Sequence, residues 1–168
     1  MKKAVITLSG GMDSALCTAI ALKQGYSVAA LHLNYGQRTE KRELKAFNQI
    51  CDFYGIDKRL IVDIGYLSQI GASSLTDPKM EVSRADLSST EIPSSYVPFR
   101  NGNILAITAS WAEVIGASAV FTGASEADSS GYPDCREEFF EAFQRAVNLG
   151  TKPETKIEIK TPLIKLTK

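Results

Sequence analysis

Two glycines between hydroxyl groups and a carboxylate stand near the start of the chain, in the stretch SGGMDS at residues 9–14. Glycine lets the backbone approach an anion closely. Ser9 and Ser14 carry hydroxyl donors, and the Asp13 carboxylate can hold a magnesium ion beside phosphate oxygens. The stretch matches neither GxxxxGK[ST] nor GxGxxG. It therefore predicts either a different phosphate-binding loop or a simple strand-to-helix turn capped by Asp or Ser.

Three more stretches are rich in side chains that could bind a ligand: NYGQR at 34–38, VPFRNGN at 97–103 and GASEADSSGYPDCR at 123–136. Arg100 carries a planar donor fork that suits a carboxylate or a phosphate. Tyr35 and Tyr132 offer ring faces on which a flat heterocycle can stack.

The segments that must position these stretches alternate between strand and helix patterns. Short apolar runs predict strands at 4–8, 28–33, 59–62, 119–122 and 157–160, and helical spacing of apolar residues fills most of the intervals. Alternation of this kind predicts an α/β fold, with a parallel sheet covered by helices on both faces. Ligands bind beyond the carboxyl ends of such strands. Residues 9–14, 34–38 and 123–136 are expected there.

Residues 64–98 interrupt this alternation. The segment holds eight serines and three prolines and shows no sustained period. A long irregular segment in a compact domain is usually functional or mobile. We therefore expect a mobile or partly disordered cover over the site.

Composition limits the classes of protein to which the chain can belong. Its 168 residues suit one domain, and 44% hydrophobic with 23% charged residues is typical of globular proteins. Nineteen basic residues balance nineteen acidic ones, which argues against nucleic acid as the main partner. The apolar runs are too short for a membrane span. Cys17, Cys51 and Cys135 lie far apart and predict neither disulfides nor a metal site, so a cytoplasmic protein is expected.

The stretch SGG-x-DS after the first strand resembles the PP-loop of the ATP pyrophosphatase superfamily, whose members cleave ATP to AMP and pyrophosphate. The resemblance implies a Rossmann-like fold of the adenine nucleotide alpha hydrolase type and one ATP-binding domain over residues 1–168. It also implies ATP with Mg²⁺, the ion being held by Asp13. The residues then expected to bind ATP are Leu8, Ser9, Gly10, Gly11, Met12, Asp13, Ser14 and the backbone of His32 and Leu33.

Together with the three further stretches, in this order, the chain resembles the 7-cyano-7-deazaguanine synthase family of the queuosine pathway. The resemblance implies ATP-dependent conversion of 7-carboxy-7-deazaguanine and ammonia into the nitrile through adenylated intermediates. Asp13 and Arg100 are the expected catalytic residues. Asp128 and Asp134 would accept hydrogen bonds from a guanine-like base. The expected substrate-binding set is Tyr35, Gln37, Arg38, Arg100, Asn101, Asp128, Tyr132 and Asp134.

The same resemblance implies a possible homodimer, small-molecule substrates, and no nucleic-acid or membrane partner. The family carries four cysteines near its C-terminus that bind zinc. This sequence has no such cluster and ends at TPLIKLTK. We therefore expect no zinc ligands within these 168 residues and a zinc-binding tail beyond them.

Alternatives remain for the function and for single residues. Another PP-loop adenylating enzyme, such as a tRNA thiolase or an amidoligase, is one rival, and a nucleotide-binding module without catalysis is another. Asp134 could cap the helix that begins near Glu137. Single-residue alternatives to a functional role are a surface position for Arg100, core positions for Tyr35 and Trp111, a structural role for His32 and an inert thiol for Cys135.

Overall fold

The computed structural model describes residues 1–71, 73–76, 92–125 and 132–166. Within them, five strands form one sheet in the order β3-β2-β1-β4-β5, and every neighbouring pair is parallel. The strands are β1 Lys3–Thr7, β2 Ser27–Asn34, β3 Arg59–Asp63, β4 Ala119–Phe121 and β5 Glu158–Lys160. The predicted α/β architecture is confirmed. The strand order reverses between β1 and β4, the position at which a crevice opens in such sheets.

The helices of the described residues lie on both faces of this sheet. They are α1 Met12–Lys23, α2 Glu40–Phe53, α3 Tyr66–Ile70, α4 Arg100–Ile115 and α5 Glu137–Gly150, with a short 3₁₀ turn at Pro133–Cys135. No helix in these parts of the chain is long and apolar enough to cross a membrane.

Two apolar layers arise because neighbouring strand residues point to opposite faces. Ala4 and Ile6 of β1 belong to the layer that includes Phe47 of α2. Val5, between them, belongs to the layer that includes Leu105 of α4. Because both faces are covered, β1 is apolar without polar alternation. Trp111 packs against the edge of the second layer, which agrees with its core interpretation.

The prediction of a mobile cover over 64–98 falls in part on residues 72 and 77–91, which lie outside the described residues. The described part is more regular than expected. It contains α3, which at five residues is too short to reveal a helical period. The Ser74 N–H donates to the Ser94 carbonyl at 2.8 Å, so the two flanks of the segment meet. Mobility of the segment stays a prediction.

Candidate active site

The SGGMDS stretch forms a tight loop between β1 and α1 that its own hydroxyl groups brace. The Gly11 N–H donates to Ser9 Oγ at 3.3 Å, and Ser14 Oγ donates to the Gly11 carbonyl at 2.9 Å. The two hydroxyl oxygens lie 3.2 Å apart. Helix α1 begins at Met12, so its first N–H groups have no acceptor within the helix. Their direction and the helix dipole favour an anion at this loop.

Two glycines bring other segments into contact with the loop. Gly10 has φ +89°, and a Cβ on it would lie 2.7 Å from the Glu43 carbonyl oxygen of α2. A Cβ on Gly123, directly after β4, would lie 2.9 Å from the carbonyl carbon of Asp13. Real Cβ atoms do not approach backbone so closely. The loop is therefore clamped between α2 and the segment after β4, and both clamps require glycine.

A cavity of about 350 Å³ opens beside this loop at the carboxyl ends of β1, β2 and β4. The sequence-predicted site residues that line it are Leu8, Ser9, Gly11, Met12, Asp13, Ser14, Leu33, Tyr35, Arg100, Asn101 and Tyr132. The structure thus brings residues from the PP-loop and all three further stretches around one space. Their individual roles stay predictions.

The other predicted residues lie outside the wall of this cavity, and Asp128 lies outside the described residues. Gly10 is part of the loop but faces α2, and Arg38 is exposed. His32 points to the opposite face of β2, where its ring lies 5.1 Å from that of Phe47. Its Nδ1 lies 3.0 Å from the Leu8 carbonyl oxygen, to which it donates. This contact supports the structural interpretation of the His32 side chain.

Arg100 is held against the ring of Tyr35 inside the cavity. Its guanidinium carbon lies 5.3 Å from the ring centroid, and Nη1 donates to the Tyr35 hydroxyl at 3.2 Å. Burial lowers the pKa of Arg100, whereas electrostatic interactions with Tyr35, Cys135 and Asp134 raise it. The second effect is larger, so the pKa of Arg100 lies above its usual value. The alternative of a surface arginine is therefore wrong. The cavity contains a permanent, oriented cation.

Asp134 caps the start of α4, although it was expected either to bind substrate or to cap α5. Its Oδ2 accepts the Asn101 N–H at 2.8 Å, and its carbonyl oxygen accepts Asn101 Nδ2 at 3.0 Å. The N-cap of α5 is Arg136, which makes no side-chain capping bond. The α5 alternative is therefore wrong. Asp134 is 4% exposed and holds Asn101 and the adjoining Arg100 at the cavity, while its contact with substrate stays a prediction.

Gln37 also acts behind the wall. Its Oε1 accepts the Tyr35 N–H at 2.8 Å, and its Nε2 donates to Glu43 Oε2 at 3.0 Å. The side chain is 5% exposed. It fixes the backbone of Tyr35 at the end of β2 to helix α2. Tyr35 itself packs against the core layer and lines the cavity, so both interpretations of this residue apply.

Several lining residues were not predicted as site residues: Thr7, Leu31, Glu43, Ile104, Thr122, Gly123, Ala124, Ser125 and Cys135. The positions of Thr7 and Thr122 in the cavity wall are explained by the pairing of β1 with β4, because the carboxyl ends of these strands flank the loop. Glu43 had no distinguishing signal, since it is one of several charges in the first turns of α2. Cys135 accepts a hydrogen bond from Asn101 Nδ2 at 3.0 Å, which is a structural contact.

The residues present fit a magnesium ion better than a zinc ion. Asp13 and the hydroxyls of Ser9 and Ser14 are oxygen donors of the kind that magnesium prefers. Burial, with a smaller effect of Asp13, raises the pKa of the Cys17 thiol to about 12, and burial raises that of Cys51. Such thiols resist the deprotonation that zinc needs. The described residues contain no group of three or more His, Cys, Asp or Glu side chains placed to hold a metal.

Two solved structures share this fold at low sequence identity. A predicted subunit of a tRNA methyltransferase from Methanocaldococcus jannaschii has a TM-score of 0.62 at 17% identity, covering 99% of this chain and 70% of that one. A 4-thiouridine synthetase, solved with RNA and bound ATP, has a TM-score of 0.58 at 18% identity, covering 98% of this chain and 37% of that one. At such identities they support the architecture alone.

Sequence relatives are much more similar. The 7-cyano-7-deazaguanine synthase of Chloroherpeton thalassium is 61% identical over 166 residues, which cover 99% of this chain and 74% of that protein. The enzyme of the same name from Chlorobaculum parvum is 58% identical over 166 residues, 99% of this chain and 73% of that protein. The family model described as queuosine biosynthesis protein QueC matches residues 3–168. The chain therefore belongs to the QueC family.

Proposed function

We propose that this protein converts 7-carboxy-7-deazaguanine and ammonia into 7-cyano-7-deazaguanine with the use of two ATP molecules. The observation that carries the proposal is the shared cavity at which the SGGMDS loop meets Arg100 and Tyr35. An anion-binding loop and an oriented guanidinium in one space suit the adenylation of a carboxylate. The name shared by relatives at 57–61% identity gives the product, 7-cyano-7-deazaguanine. The corresponding carboxylate is the substrate that the family resemblance implies.

ATP is proposed to lie with its terminal phosphates on the loop. The first N–H groups of α1 and the Ser9 and Ser14 hydroxyls would donate to phosphate oxygens, and the loop would then hold the departing pyrophosphate. Asp13 would hold a magnesium ion, which when bound neutralises phosphate charge. Leu31 and Leu33 of β2 offer an apolar wall for the adenine.

The 7-deazaguanine is proposed to lie near Tyr35 and Tyr132, with its carboxylate toward Arg100. A half-buried guanidinium braced by Tyr35 can orient this carboxylate so that one oxygen faces the α-phosphorus. We also propose that Asn101 donates hydrogen bonds to the substrate. The base is proposed to contact Asp128, Asp134, Gln37 and Arg38. Asp134 and Gln37 would act mainly by holding Asn101 and Tyr35 in place.

The reaction then proceeds through two activations. A carboxylate oxygen attacks the α-phosphorus of ATP and pyrophosphate leaves, after which ammonia attacks the carbonyl carbon and AMP leaves, giving the amide. The amide oxygen attacks the α-phosphorus of a second ATP, pyrophosphate leaves, and a proton is lost from nitrogen. Loss of AMP and of the last N–H proton completes the carbon–nitrogen triple bond.

Further parts of the proposal concern the whole protein. We propose one ATP-binding domain, a cytoplasmic location, a homodimer and small-molecule substrates without nucleic acid. A structural zinc site would need cysteines other than the three in this sequence.

The test of the reaction is mass-spectrometric. The protein is incubated with 7-carboxy-7-deazaguanine, magnesium-ATP and ammonium, and the nitrile and AMP are both expected to appear only when the acid is present. The Asp13→Ala variant should stay folded and form no AMP, whereas Asp57→Ala, on the exposed turn before β3, should retain turnover. AMP without nitrile would favour another acceptor and hence another adenylating enzyme. A folded protein that forms neither would support a binding module.

A further inference from the structure

Glu43 is a cavity residue whose carboxylate is fixed by two donors. Thr39 Oγ1 donates to its Oε1 at 2.5 Å, and Gln37 Nε2 donates to its Oε2 at 3.0 Å. Each carboxylate oxygen can accept a second hydrogen bond. A carboxylate that is held in place and lines a substrate cavity has capacity left for a ligand that donates protons.

The surroundings of Glu43 indicate which ligand this is. Among the described residues that line the cavity, the carboxylates are Asp13 and Glu43, and Arg100 is the cation. Asp13 belongs to the phosphate loop. Burial raises the pKa of Tyr35, Arg100 lowers it and Glu43 raises it, so Tyr35 is under the influence of both charges. The cavity therefore has a cationic position, suited to the substrate carboxylate, and an anionic position near the same tyrosine.

The proposed reaction needs such an anionic position. Nitrogen is available in neutral solution mainly as ammonium, which has no lone pair and cannot attack a carbonyl carbon. A carboxylate attracts ammonium through charge-assisted hydrogen bonds and can then remove a proton as a general base.

We propose that Glu43 binds the ammonium ion and accepts its proton, an inference that rests on the proposed function. Ammonium transfers one proton to a Glu43 oxygen and becomes ammonia. The nitrogen lone pair forms the bond to the acyl carbon while the carbon–oxygen bond to AMP breaks and AMP leaves with that electron pair. The nitrogen then loses a second proton to water, Glu43 passes its own proton to water, and the neutral amide remains.

The test compares Glu43→Gln with Glu40→Gln, a matched change one turn earlier on α2 and outside the cavity wall. Three rates are measured: acid-dependent exchange of pyrophosphate into ATP, amide formation from ammonium, and hydroxamate formation from hydroxylamine. Hydroxylamine is largely unprotonated at neutral pH and needs no proton removal before attack. For Glu43→Gln, kcat/KM for ammonium should fall by about 100-fold or more, the range of general-base catalysis. Exchange and hydroxamate formation should stay near the rates of the unaltered protein, and Glu40→Gln should match it in all three.

Two results would overturn the ammonium site. Unchanged amide formation in Glu43→Gln would remove the role directly. Equal losses in exchange, amide and hydroxamate would show that Glu43 only orders the segment that bears Gln37 and Tyr35. Absence of acid-dependent exchange in the unaltered protein is a separate failure, because it would overturn the proposed function and the ammonium site with it.

Discussion

Gly10 offers a measurable test of how the phosphate loop is held, through the substitution Gly10→Ala. The new Cβ would lie 2.7 Å from the Glu43 carbonyl oxygen, 2.9 Å from Ala46 Cβ and 3.1 Å from the Phe47 nitrogen. Two of these atoms are backbone, so the contact cannot be relieved by rotating a flexible side chain. Residue 10 also has φ +89°, which an alanine adopts only with strain.

Gly25 provides a matched control, because it has φ +81° and no atom lies within 4 Å of the position that its Cβ would take. Left-handed backbone costs about 1–2 kcal/mol for a residue with a Cβ. Reduced freedom of the unfolded chain offsets about 0.4–1 kcal/mol of this cost. Gly25→Ala should therefore lose about 1 kcal/mol. Gly10→Ala should lose about 2–4 kcal/mol, since overpacking adds about 1–3 kcal/mol.

Urea unfolding of both variants measures the difference, and pyrophosphate exchange reports the loop. The midpoint of Gly10→Ala should fall further than that of Gly25→Ala at a similar m-value, and its exchange rate should drop while that of Gly25→Ala stays near normal. Equal stability losses would refute the claim that α2 packs on the loop through Gly10. Loss of stability with normal exchange would refute the claim that this contact shapes the phosphate site.

Two further predictions concern the opposite side of the loop and the far end of the sheet. Gly123→Ala should weaken ATP binding by roughly 10-fold or more, since its Cβ would press on the Asp13 backbone. Gly150→Ala is the control, because its Cβ would enter open space and should leave ATP binding unchanged. Equal ATP affinity of the two variants by calorimetry would contradict this prediction. Hydrogen bonds from the Lys152 N–H, then from Thr155 Oγ1, lower the pKa of Glu113. Its contribution to stability should be complete above the ordinary glutamate pKa of about 4.3 and disappear as the pH falls through the lower folded value. Urea midpoints of Glu113→Gln should therefore lie below those of the unaltered protein at pH 7 and converge with them in acid; a constant gap would contradict the pKa shift.

The architecture followed from the sequence because its signals are local. Apolar runs such as AVITL, helical spacing and glycine stops can each be read within a dozen residues, and alternation of strand and helix then leaves few topologies. The rule that ligands bind at the carboxyl ends of parallel strands located the cavity from the sequence alone. The exception was α3, whose five residues carry less than two helical turns of pattern.

The partners of the site residues could not be predicted in the same way, because they are separated along the chain. Asp134 reaches Asn101 across 33 positions and caps α4, although its sequence neighbourhood suggested a cap for α5. The roles of Gln37 and Glu43 depend on each other, since the amide bridges the Tyr35 backbone and the carboxylate. Residue type indicated which chemistry was available. Tertiary packing determined which side-chain atoms were already hydrogen-bonded within the protein.

Residues 31–33 show how far the alternation of a strand could have refined the site. Leu31 and Leu33 point into the cavity from one face of β2, and His32 points to Phe47 on the other. Period two alone separates these side chains. The period does not show which of the two sets of side chains faces the cavity, because both faces of the sheet are apolar. Which set faces the cavity is determined by the pairing of β2 between β1 and β3 and by the helices on each face. In a sheet covered on both faces, the strand residues that line a ligand site can therefore be predicted only when the orientation of one strand is known. Here the phosphate loop after β1 provides that reference.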